Sequence, residues 1–100
     1  MYERILPIGS IVLNKGASRK VMIVGYYQYL QGDETKIYDY IGVGYPEGFV
    51  RPEYMALFDH DQIERIYSLG FQDEIRLDFE PKLIAALKKS DQENNRNQDN

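Results

Sequence analysis

RKVMIVGYYQYL, residues 19–30, carries apolar side chains on both faces of an extended chain. Val21, Ile23, Tyr27 and Tyr29 alternate onto one face, and Met22, Val24, Tyr26 and Leu30 onto the other. An apolar run of this kind predicts a strand inside a sheet rather than one at its edge. Gly25 interrupts it, where a glycine permits a bulge, a bend or a close crossing of another backbone. A small, strongly curved sheet needs such a point.

The neighbouring segments supply partners for this strand. GSIVLN, residues 9–14, is a β-branched run separated from it by KGAS, whose Gly16 suits a tight turn, so the two predict a hairpin. On the other side QGDET, residues 31–35, forms a second turn, and KIYDYIGVGY, residues 36–45, predicts a third strand. Ile37, Ile41 and Val43 are expected on its core face, with Tyr38 and Tyr40 opposite. PEGFVRPE, residues 46–53, holds two prolines and a glycine and is expected to loop out before a fourth strand at YMALF, residues 54–58. Asp59 is placed to cap a helical turn at HDQI, and a fifth strand is expected over 64–69, with a continuation of that helix as the alternative.

After Gly70, Ile75, Phe79, Leu83 and Leu87 recur every four residues, and Lys88 and Lys89 favour a helix C-terminus. Pro81 suits a first helical turn, which sets the regular helix at 81–89, with an earlier turn over 72–79 as the alternative. The expected class is α+β: a strongly curved antiparallel sheet of four to five strands, a small partly closed barrel, with one C-terminal helix. Residues 1–89 read as a single globular domain. The stretch SDQENNRNQDN, residues 90–100, has no apolar residue with which to offset ordering entropy and is expected to be a disordered polar tail.

Composition narrows the function. Sixteen acidic against twelve basic residues give a net charge of −4, a field that repels phosphate backbones, so nucleic acid is not the expected partner. No cysteine is present, which removes disulfides and thiolate metal sites and suits a reducing compartment. Pro7 and Gly9 interrupt the N-terminal apolar run, unlike a signal peptide, and no stretch approaches the roughly 20 apolar residues of a membrane span. A cytoplasmic protein is expected.

Candidate chemistry has a structural explanation at each place. His60 lies between Asp59 and Asp61, residues that a helical first turn uses to satisfy free amides. Ser10 and Ser68 lack a nucleophile-elbow context. Asp73 with Glu74, and Asp78 with Glu80, stand where acids oppose a helix dipole. NKGAS lacks phosphate-loop spacing. No catalytic residue, cofactor or metal site is predicted, and the chain is expected not to be an enzyme. What stands out is tyrosine, nine in all, with Tyr26, Tyr27, Tyr29, Tyr38, Tyr40 and Tyr45 in or beside two neighbouring strands. Such residues suit protein interfaces as well as cross-strand ladders. The expected partner-binding residues are Tyr38, Tyr40 and Tyr45, with Pro46, Glu47 and Gly48 of the exit loop.

LPIGSIV at 6–12, KVMIVGY at 20–26, YDYIGVGYPEG at 38–48 and FDHDQIERIYSLGFQDE at 58–74 occur in an order and spacing that covers residues 6 to about 89. In these segments the chain resembles the small bacterial domain-of-unknown-function family 4176, whose members lie in type VII secretion gene clusters. The resemblance implies a non-enzymatic accessory protein of a Gram-positive type VIIb system, a chaperone or targeting factor for a toxin with an LXG-type export domain. It supplies no catalytic residues to carry over. The implied partner is the toxin or its export domain; the alternatives are a small β-barrel that binds nucleic acid and a toxin's immunity protein. Pro81 departs from the smoother acidic helix the family leads one to expect.

Overall fold

In a computed structural model that describes the backbone of residues 5–98, the run at 19–30 lies in the middle of a five-stranded antiparallel sheet. The strands are β1 (Ile11–Asn14), β2 (Val21–Leu30), β3 (Asp33–Gly44), β4 (Ala56–Phe58) and β5 (Ile63–Ser68), in the order β4-β3-β2-β1-β5. Both expected hairpins form, with Gly16 and Gly32 at positive φ in their turns. One helix, α1 (Glu74–Gln98), packs on one face of the sheet. The sheet stays open, less curled than a partial barrel, with β4 and β5 as its edges. No helix among the described residues is long and apolar enough to cross a membrane.

The bulge expected near Gly25 is present and reassigns the faces of β2. Ile23 pairs with Gly42 and Gly25 with Ile41, which leaves Val24 as the extra, exposed residue. Gly25 is required there, because a Cβ would lie 2.9 Å from Cγ2 of Ile41. Beyond the bulge the alternation is out of phase, so Tyr26, opposite Tyr40, joins Ile23 on the helix-bearing face instead of lying opposite to it. Tyr27 adopts φ of 63°, a left-handed conformation that costs a tyrosine about 1–3 kcal/mol and is held by its packing against the core.

The core cluster is Ile5, Val12, Ile23, Tyr40, Phe58, Leu83 and Leu87. Tyr40 is a correction: it is fully buried at the centre of this cluster, ring to ring with Phe58 at 5.4 Å and Tyr26 at 6.0 Å, not on the face away from the core. Val43 is also buried, but on the reverse face of β3, one residue out of phase with Tyr40.

The helix starts early, as in the alternative of a helical turn ahead of Pro81. Asp73 caps α1 through its carboxylate to the N–H of Arg76 at 3.0 Å, so the helix begins before Pro81 and carries that proline inside it. Pro81 has no N–H to offer the carbonyl of Leu77, an exposed residue that water can reach. The buried line of the helix runs through Glu80, Leu83 and Leu87, while Ile75 and Phe79 are exposed. The helix continues to Gln98 through most of the stretch read as a polar tail, whose side chains lie outside the described residues.

Candidate partner-binding surfaces

Tyr40 does its work inside the fold. Its hydroxyl accepts the N–H of Leu6 at 3.1 Å and shares a hydrogen bond of 2.6 Å with Nδ1 of His60. The hydroxyl of Tyr26 donates to the carbonyl of Leu6. One residue earlier, the N–H of Ile5 donates to Glu80 at 3.1 Å and the Arg76 guanidinium donates to the carbonyl of Ile5. All four backbone groups of Ile5 and Leu6 are therefore held by side chains of β2, β3 and α1. Arg76 also lies 3.8 Å from Glu80 and over the ring of Tyr26, so these two buried charges are neutralised within the clamp. Burial pushes the phenols of both Tyr40 and Tyr26 above their ordinary value.

Asp59 forms the expected turn but does not cap it with its own side chain. The 3₁₀ turn at His60–Gln62 is capped by Asp39 of β3, whose Oδ2 accepts the N–H of His60 at 2.9 Å. Asp59 reciprocates by accepting the N–H of Asp39 at 3.1 Å and the ammonium of Lys36 at 2.6 Å. That hydrogen bond to Asp59 raises the Lys36 pKa. Lys36 lies 5.2 Å above the ring of Tyr38, which is half-buried. Of the expected strand tyrosines, Tyr38 thus sits at a rim whose cation is already paired.

The exit loop of β3 does reach solvent. Tyr45 is 48% exposed and is joined to Pro46 by a cis peptide bond; Gly48, at φ of 77°, bridges back to Gly44. The N–H of Gly48 donates to the carbonyl of Gly44 at 2.8 Å, closing the loop into a tight hairpin. Glu47 pairs with Arg19 from the β1–β2 turn, which lowers the Glu47 pKa. The two flank a concavity of about 320 Å³ lined by Arg19, Gly44, Glu47, Gly48, Val50 and Tyr54.

Tyr45, Pro46, Glu47 and Gly48 are therefore brought together at the surface, whereas Tyr40 is withdrawn and Tyr38 stands apart beside Lys36. The sequence reading missed Phe49, Val50 and Tyr54, which are 63%, 55% and 66% exposed. Their signal was available: two apolar residues in a loop bounded by Pro46 and Pro52, with a tyrosine just after it, have no pleat to bury them. Arg19 meets Glu47 because the pairing of β2 with β3 sets the β1–β2 turn beside the exit loop of β3.

A family model described as Domain of unknown function (DUF4176) matches residues 5–79. No curated protein and no solved structure matches the chain.

Proposed function

Since the chain belongs to the family described as Domain of unknown function (DUF4176), which carries no activity in its description, we propose from its surface that it is a non-enzymatic module that binds a partner protein. The observation that carries this reading is the loop that leaves β3: Val50 and Tyr54 line a concavity whose charged members, Arg19 and Glu47, neutralise one another, and Tyr45 and Phe49 are exposed in the same loop. An apolar centre with a paired polar rim is the arrangement of a protein interface. Support for the non-enzymatic part comes from the residues with chemistry to offer. His60 is engaged by Tyr40, and the buried hydroxyl of Ser10 donates to the carbonyl of Pro7 at 2.7 Å while accepting the N–H of Gly70 at 3.0 Å.

The sequence resemblance gives the finer reading: a chaperone or targeting adaptor of a type VIIb secretion system whose partner is an LXG-type toxin or its export domain. Co-expression with an LXG-type toxin from the same genome, followed by size-exclusion chromatography at low and physiological salt, tests this. Co-elution that is lost in Tyr45→Ser/Tyr54→Ser is expected; separate elution of the wild-type pair overturns the finer reading. Retention by the isolated toxic domain instead of the export domain identifies an immunity protein.

A further inference from the structure

The face of the sheet turned away from α1 carries two cations without a counter-ion. Val12 lies in the core beneath the helix, so Leu13, the next residue of β1, belongs to the reverse face. Arg65 of β5 pairs with Leu13 and shares that face, and both Arg65 and Lys20, which leads into β2, rest on the ring of Tyr67. The Lys20 ammonium is 4.6 Å and the Arg65 guanidinium 4.7 Å from the ring centroid, so the two charges are less than twice that distance apart. Tyr67 is 43% exposed and Arg65 is exposed, while Lys20 is half-buried. Among the described residues neither cation has a carboxylate partner.

The charge here is positive on a chain that is negative as a whole. β1, the β1–β2 turn and β5 hold Lys15, Arg19, Lys20 and Arg65 against one acid, Glu64. Glu47, from the exit loop of β3, is taken by Arg19, and neither Glu64 nor Asp61 forms an ion pair among the described residues. Two like charges held against one ring repel, and the ring offsets this only in part. Two carboxylates set one helical turn or two strand positions apart, about 6–7 Å, can meet both cations at once. A nucleic acid or an anionic membrane asks for more: about 6–10 phosphate contacts, or a cluster of about 4–8 lysines and arginines, where this chain offers a local pair against a net charge of −4.

We propose that Lys20, Arg65 and Tyr67 bind an acidic segment of a partner protein, with two of its carboxylates on the cations and an apolar residue against Leu13 and the Tyr67 ring. This goes beyond the loop surface at Tyr45–Tyr54 and uses none of the residues that line its concavity, so either can fail without the other.

The probe is a fluorescent Glu/Leu peptide of about 11 residues, three helical turns, titrated into the full chain by anisotropy. A Gln/Leu peptide of equal length, single-stranded RNA and phosphatidylserine vesicles are the comparisons. The Glu/Leu peptide is expected to bind at least about tenfold more tightly than the Gln/Leu peptide, against the repulsion of the chain's net charge, and to weaken as salt rises. Lys20→Gln/Arg65→Gln is expected to remove about tenfold or more and to flatten the salt dependence. Lys88→Gln/Lys89→Gln, an equal loss of charge on exposed residues of α1, leaves binding within about twofold. Circular-dichroism melts matching wild type show that the variants fold. Equal binding of the Glu/Leu and Gln/Leu peptides, undiminished binding by Lys20→Gln/Arg65→Gln, or an equal loss in Lys88→Gln/Lys89→Gln overturns the proposal. So does tighter binding of the RNA or the vesicles than of the peptide, or a concentration-dependent dimer that Lys20→Gln/Arg65→Gln abolishes, because another occupant then holds the cations.

Discussion

Replacing Tyr40 by phenylalanine removes one oxygen from the centre of the molecule and leaves the ring packing in place. Two groups lose their partner: the N–H of Leu6, 3.1 Å away and part-buried, and Nδ1 of His60, 2.6 Å away on an exposed residue. A buried donor left without an acceptor costs about 1–3 kcal/mol, whereas a group that can turn to water costs little. Leu6 therefore sets the magnitude, with a smaller share from His60, and Tyr40→Phe is expected to destabilise by about 2 kcal/mol. In a domain of this size that lowers the melting temperature by roughly 10 °C. Urea unfolding should show a lower midpoint at an unchanged slope, since the surface exposed on unfolding is the same. A double-mutant cycle with His60→Ala isolates the 2.6 Å bond, with an expected coupling of about 0.5–1 kcal/mol. Tyr38→Phe, at the half-buried rim position, is the control and should stay within about 0.5 kcal/mol of wild type. A Tyr40→Phe effect as small as that control refutes the claim that this hydroxyl anchors the N-terminal segment.

The same burial predicts alkaline sensitivity. Tyr40 and Tyr26 have folded-state pKa values raised above 10.0, so their protonated forms are favoured in the native state. Their contribution is fully present below pH 10 and is lost as pH rises beyond it, a fall in thermal stability that should be shallower in Tyr40→Phe. Glu80→Gln weakens the acceptor for Ile5 and leaves the buried Arg76 without its ion pair, an expected cost of about 2–3 kcal/mol in chemical denaturation. Gly70→Ala would place a Cβ 1.9 Å from a backbone oxygen of Ile8 and should cost about 1–3 kcal/mol or more, whereas Gly44→Ala, with nothing within 4 Å, should melt close to wild type.

The strands and their hairpins were legible because turn glycines and β-branched runs are local signals. The faces were not, because alternation survives only while the pleat is unbroken. One extra residue at Val24 inverts everything after it in β2, so a reading that recognised Gly25 as a bulge point also had to shift Tyr26 onto the core face. In β3, Ile41 and Val43 are more apolar than Tyr38 and Tyr40, and hydrophobicity alone chose them for the core. The structure instead buries Tyr40, whose hydroxyl has partners that come from distant parts of the chain. The four-residue spacing in α1 misled for a geometric reason. Each step of four advances about 40° beyond a full turn, so from Ile75 to Leu87 the row rotates by about 120°. Its later members, Leu83 and Leu87, are buried against the sheet, while Phe79 meets the ring of Tyr26 at the margin and stays 45% exposed. Glu80 completes that face, and a glutamate there is recognisable only once Ile5 and Arg76 are seen to satisfy it.

These corrections separate folding from recognition. Tyr26, Tyr40, Arg76 and Glu80 hold the N-terminal segment between sheet and helix, and each is tied by hydrogen bonds or ring contacts to the core. Tyr45, Phe49, Val50 and Tyr54 are exposed and lie outside the core cluster. Replacing a clamp residue removes a partner from a buried polar group; replacing a surface aromatic removes neither a buried bond nor core packing. A serine at Tyr54 should therefore leave the unfolding midpoint near wild type while altering binding, and a change at Tyr40 should do the reverse per molecule that remains folded. If Tyr54→Ser instead lowered stability in step with binding, Tyr54 would belong to the fold and its exposure would carry no functional meaning.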